Sequence, residues 1–127
     1  MTYNPAWTAG RTRSYVVTGL DVNVGATDIG SFAGLPAKYL VQDFYVFDAS
    51  TTPLGAAVVV LRTAAAGGGS ALATAPVAVG MTSPSVTASG APLQAAYVTA
   101  STLYLRTVSP NGAALTVSAV LTIVDLT

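Results

Sequence analysis

The sequence predicts an all-β protein, an antiparallel β-sandwich or barrel entered through an extended N-terminal arm. Three observations point there. The 127 residues include 17 Val and 17 Thr, β-branched residues that favour strands over helices. The 12 Gly and 7 Pro recur at short intervals and cut the chain into short runs. Those runs alternate apolar and polar residues with period two. They give about seven strands spaced about 8–15 residues apart, the pattern of a sandwich or barrel. The length suits one domain, since domains run at about 100–200 residues. We divide the chain into an arm over residues 1–13 and a single sandwich over 14–127.

The arm carries Tyr3, Pro5 and Trp7 among small polar residues, followed by Arg11 and Arg13. A tryptophan outside any strand either folds back on the domain or docks elsewhere, and Trp is enriched among interface anchors because one ring buries a large area. Arg11 and Arg13 alternate, so in an extended segment both point the same way, toward an acidic patch on a partner or into solvent. Tyr3, Trp7, Arg11 and Arg13 are the candidate partner-contact residues.

Residues 15–24 form the first clear strand. Its dry face is Val16, Thr18, Leu20, Val22 and Val24, and its wetter face Tyr15, Val17, Gly19, Asp21 and Asn23. Gly19 marks a bulge or bend. Residues 25–38 read as irregular, with at most a helical turn near Phe32. Residues 39–48 are bulky on both faces, Phe44 and Val46 against Tyr45 and Phe47, and belong in the middle of a sheet. Residues 54–62, with Val58-Val59-Val60-Leu61, read as a strand buried on both sides. Pro76 puts the strand over 71–79 at an edge. Residues 80–94 form a loop rich in Ser, Pro and Thr, and 95–108 a further strand. Ser109-Pro-Asn-Gly112 reads as a hairpin turn, since Asn and Gly accept positive φ. The last strand sets Leu115, Val117, Ala119, Leu121 and Ile123 against Thr116, Ser118 and Thr122. Asp125 falls on its apolar face, within reach of Arg62 or Arg106. The 23 Ala imply thin side chains between closely packed sheets.

Composition narrows function. Only 8% of residues are charged, five basic against five acidic, with no Glu, His or Cys. Disulfides, zinc sites built on Cys or His, Cys nucleophiles and His bases are excluded. An enzyme would have to work with Asp, Ser, Tyr or Lys38 alone, although His and paired carboxylates carry most catalytic proton transfers. We expect no enzyme and no cofactor. A net charge of zero offers no basic face for nucleic acid and no pull toward an anionic membrane. The longest apolar run, residues 56–61, is far short of the roughly 20 that a membrane span needs. The first residues lack the positive and apolar regions of a secretory signal, so retention in a cytoplasm is expected. A charge-poor surface of Thr, Ser, Ala and Gly also favours association.

Three motifs have ordinary readings beside chemical ones. Asp21-x-Asn23-x-Gly25 with Asp28 groups oxygens as calcium loops do. The EF-hand pattern fails, because Ala26 stands where Gly is needed and Phe32 where the bidentate Glu belongs, and a turn accounts for the same residues. Gly67-Gly68-Gly69-Ser70 lacks the Gly-Lys-Ser/Thr and the helix of a phosphate loop, and reads as a hairpin tip. Asp43 and Asp48 are five positions apart on one strand and project to opposite faces unless a bulge intervenes.

The last third is the most distinctive text: Val98-Thr-Ala-Ser-Thr-Leu-Tyr-Leu-Arg-Thr-Val108, Asn111-Gly-Ala-Ala-Leu-Thr-Val117 and a closing strand. With Phe44-Tyr-Val-Phe-Asp-Ala-Ser50, Val58-Val-Val-Leu61 and the Gly-rich loop, it resembles a set of small β-sandwich virion proteins of tailed bacteriophages, over about residues 39–125. The resemblance implies jelly-roll topology and modules that decorate or cement capsids, often as trimers, or form the bases of head or tail fibres. It brings no catalytic residues and does not extend to residues 1–38. The expectation is a capsid decoration protein in the virion, a homotrimer bound to the major capsid protein. The alternative is a fibre-base or host-recognition module gripping glycan, although Tyr97 and Tyr104 would face opposite ways on an ideal strand.

Overall fold

The computed structural model describes residues 11–25, 27–78, 86–87 and 97–127. Within them every named element is a β-strand. Eight strands run in the order β1 (Thr12–Asp21), β2 (Asp28–Phe32), β3 (Tyr39–Phe47), β4 (Val58–Arg62), β5 (Ala71–Pro76), β6 (Val86–Thr87), β7 (Leu103–Val108) and β8 (Thr116–Asp125). They form two antiparallel sheets. Sheet A has the order β1-β8-β3-β6 and sheet B the order β2-β7-β4-β5. The pairing is nested. β4 pairs with β5, β3 with β6, β2 with β7 and β1 with β8, with successive pairs falling in alternate sheets.

The core lies between the sheets. Leu115, Val117, Ala119, Leu121 and Ile123 are all buried, as the alternation over the last strand requires. Phe44 and Val46 of β3 meet Leu121 and Ala119 across the sheet, while Leu61 and Leu105 pair within sheet B. Val59, Val60 and Leu61 are buried, as expected of a strand covered on both sides. β3 is an interior strand, and β5 with Pro76 is an edge.

Four expectations are corrected. First, residues 28–32 are a strand, β2, and not an irregular turn. Its sequence Asp-Ile-Gly-Ser-Phe is too short to show alternation. Gly30 suits the close packing there, because a Cβ would run into Leu20 Cδ2 of β1 and force that side chain to move.

Second, β1 does not keep one face along its length. Its register against β8 shifts between Val17 and Leu20, at Gly19 with φ +68°. A bulge adds one residue and so reverses the alternation. Leu20 and Val22 point inward, as the sequence suggests, but before the bulge Tyr15 and Val17 face the core and Val16 is 60% exposed.

Third, residues 109–112 turn the chain but close no hairpin. β7 lies in sheet B and β8 in sheet A, so this connection crosses the sandwich. Ser109 and Gly112 do take positive φ, +60° and +93°. Turn chemistry sets the local bend and leaves open which sheet receives the next strand. Asn111, 2% exposed, holds the crossing: its N–H donates to Val22 O at 3.0 Å, its Oδ1 accepts from Leu54 N at 3.0 Å, and its Nδ2 donates to Ala113 O at 2.9 Å.

Fourth, Asp125 is buried on the inner face but pairs with neither Arg62 nor Arg106. Arg13 Nε reaches its Oδ2 at 3.1 Å, because β1 lies beside β8.

Candidate docking surface

Each of the five cations is engaged within the chain. Arg11 Nη1 donates to Asp125 O at 3.2 Å and Thr127 O at 3.3 Å. Arg13 pairs with Asp125, and Arg106 Nη1 lies 3.4 Å from Asp28 Oδ1. Arg62 donates to Gly68 O and Gly69 O at 3.0 and 3.2 Å. Lys38 Nζ lies 4.2 Å from the centre of the Tyr97 ring, a cation–π contact. Of the candidate contact residues, Arg13 stands on β1 and Arg11 immediately precedes it, both directed at the end of β8. Both side chains reach the end of their own chain at residues 125–127. Tyr3 and Trp7 lie outside the described residues.

The Asp125 cluster is tightly bonded. Its Oδ1 accepts from the Thr127 hydroxyl and from Thr127 N at 2.9 Å. These hydrogen bonds, with Arg13 adding to them, hold the carboxyl below its ordinary range. Beside it in the core, Tyr39 donates its hydroxyl to Ala100 O at 2.7 Å. Burial pushes that hydroxyl well above the usual tyrosine range, and Tyr15 adds to the shift.

The other acidic motifs resolve into local structure. Asp21 Oδ1 accepts from Asn23 N at 2.9 Å, a turn contact, while Asp28 stands on β2 with Arg106 and Ala66 as partners. Residues 67–70 lie in the connection of the β4–β5 hairpin. Asp43 stands on β3, where a register shift after Val41 turns it outward, and it accepts from Tyr45 Oη at 3.1 Å. That bond raises the Tyr45 pKa. Asp48 follows the strand at φ +59°.

The two outer faces differ in kind. Sheet B shows Asp28, Arg106 and Arg62, and the 63–70 loop bends back over them. Ala66 N donates to Asp28 Oδ2 at 3.0 Å, and Gly67 lies against the Arg106 guanidinium. Sheet A is different. Pairing places Val16, Val120 and Tyr45 in one row, Ser14, Thr122 and Asp43 in the next, and Thr12, Val124 and Leu40 in a third. Val16 is exposed, while Leu40, Tyr45, Val120 and Val124 are half-buried. Ser14 Oγ and Thr122 Oγ1 are 3.1 Å apart. Asp43 is the one side chain in these rows that is charged at neutral pH, and Tyr45 bonds it. The result is an apolar and hydroxylic surface with almost no charge, which can bury area against another surface without stripping water from ions.

Sequence reasoning missed this face because it assigned Val16 inward. Two signals were present. Tyr45 and Phe47 make the second side of β3 bulky, and Val120 and Val124 interrupt the polar side of β8.

Tyr97, 51% exposed, carries Lys38 at its ring, and Tyr104 pairs with Arg62 across sheet B. Compared with protein-family models, curated proteins and solved structures, the chain finds no match.

Proposed function

We propose that this chain is a structural virion protein of the capsid decoration, or cement, kind. It assembles with copies of itself as a homotrimer, binds the major capsid protein on the outside of a phage head, and acts by adhesion without catalysis or cofactor. The observation that carries this reading is the near-uncharged outer face of sheet A, beside five cations all turned to internal partners. A molecule built this way binds by area and shape more than by charge.

The nested strand pairing supports a jelly roll, the double-sheet architecture of many viral capsid and lectin domains. The support is by architecture alone, since one fold hosts many functions. The arm enters the reading as an adhesive segment at residues 1–10. Arg11 and Arg13 fix its root to the end of β8. A clamp of this kind gains from many copies acting at once on one shell.

The alternative is a fibre-base or host-recognition module. It rests on the exposed ring of Tyr97, and the Lys38 ammonium at that ring competes with a stacked sugar.

The deciding experiment is the copy number in purified virions of the phage that encodes the chain. Copies in a fixed ratio to the shell subunit are expected. A few copies per particle would move the assignment to a fibre, and none would end the virion reading.

A further inference from the structure

Residues 1–10 contain no Asp, Glu, Lys, Arg or His and so no side chain charged at neutral pH, and Trp7 is the only tryptophan of the chain. They lead into β1, the edge strand of sheet A. Their root does not leave the subunit, because Arg11 and Arg13 are bonded to Asp125 and Thr127. The segment that can reach a neighbour is therefore the uncharged one, and the acceptor surface it matches in chemistry is the uncharged face of sheet A.

We propose that residues 1–10 of one copy lie across the outer face of sheet A of the next copy, with the Trp7 ring set over Val16 and Val120. This rests on the self-assembly part of the proposed function and names the contact that produces it.

Reach and chemistry agree. Ten extended residues span at most about 33–36 Å. Three strand spacings of about 4.8 Å make a four-stranded sheet about 14 Å wide, so the segment is long enough to cross it and to bridge a gap between subunits. One Trp buries about 150–250 Å² of mostly apolar surface, and the valines of β1 and β8 supply an apolar bed beside the Ser14–Thr122 hydroxyls. The acid on this face, Asp43, is bonded by Tyr45, so no bare charge opposes an uncharged segment.

The geometry also bears on assembly. A donor segment and an acceptor face at different places on one molecule make a head-to-tail contact. Such contacts close into rings when the rotation allows, and a trimer is one such ring.

The single tryptophan supplies the test. Fluorescence emission and acrylamide quenching of the full-length protein are followed across a dilution series, with molecular mass measured by sedimentation on the same samples. Trp7 should be blue-shifted and protected in the oligomer and become exposed over the concentration range in which the mass falls. Val16→Lys, at an exposed position that tolerates a charge, should keep the melting temperature and raise the midpoint concentration of both transitions by about tenfold or more.

Protection that does not change on dilution would place Trp7 on its own subunit and overturn the exchange. So would an oligomer in which Trp7 stays fully quenchable, or a Val16→Lys protein that assembles as well as the parent. A protein that never self-associates would overturn it too. Binding to capsid shells is scored separately. Shell binding with an exposed Trp7 defeats the exchange alone, and a protected Trp7 without shell binding defeats the virion reading alone.

Discussion

The side-chain oxygen of Asn111 accepts the backbone N–H of Leu54 at 3.0 Å, tying the crossing between the sheets to the segment that leads into β4. The same side chain donates to Ala113 O, and its own amide donates to Val22 O. Three chain segments thus meet at one buried residue, Asn111, at this end of the sandwich.

Asn111→Ala leaves the Leu54 amide and the Ala113 carbonyl without these partners. Both bonds are part-buried, and a hydrogen bond contributes about 0.5–1.5 kcal/mol net, so a loss of about 1–3 kcal/mol is expected in urea unfolding. A loss below about 0.5 kcal/mol would show that Asn111 does not hold the crossing.

Asp125 provides a pH signature. Its folded-state pKa lies below the ordinary value, first through the Thr127 hydroxyl and amide and then through Arg13. The carboxylate therefore adds stability above the unfolded pKa of about 3.9, and this stability is lost as pH falls through the lower folded value. Asp125→Asn should melt below the parent at pH 7, and the two melting curves should converge toward pH 2. A gap that stays constant with pH would contradict the assignment.

Tyr39 acts at the other end of the pH scale. Burial raises its pKa, so its neutral form is favoured by folding. That contribution is fully present below the unfolded tyrosine value of about 10 and is lost as pH rises above it. Tyr39→Phe should reduce the stability lost between about pH 9 and pH 12 in thermal melts. An unchanged alkaline slope would place the loss elsewhere.

Gly19 and Gly30 test the bulge in two ways. At Gly19 a Cβ meets nothing, but φ is +68°, so Gly19→Ala should cost about 1–2 kcal/mol through backbone strain alone. At Gly30 a Cβ collides with Leu20, and overpacking of this sort costs about 1–3 kcal/mol. Leu20→Val in the Gly30→Ala background should recover part of that loss while being destabilising on its own. Simple additivity of the two changes would rule out the Gly30–Leu20 contact.

Much of the fold was legible because alternation survives where strands are long and regular. Leu115 to Ile123 and Phe44 with Val46 were assigned to the correct side. The alternation misleads at the bulge beside Gly19, where one extra residue turns Val16 outward and hides the face that matters most. β2 escaped notice because five residues with a central Gly carry no period. The Asp125 partner was unreadable for another reason: the pairing of β1 with β8 joins opposite ends of the chain, and that proximity is a property of the sheet order. The cation accounting is similarly a tertiary fact. Five cations can be counted in the sequence, but their internal partners are spread through loops and strand ends.

Binding of purified Val16→Lys protein to capsid shells, compared with the parent under the same salt, addresses the adhesive face most directly. Val16 is 60% exposed, so the charge should leave folding intact while placing an unpaired cation in the middle of the contact. Parent protein saturating the shells, with the variant weakened about tenfold or more and little affected by added salt, is the expected result. Equal binding by the two proteins would contradict an adhesive role for the outer face of sheet A, whether it meets the shell or holds together the oligomer that does.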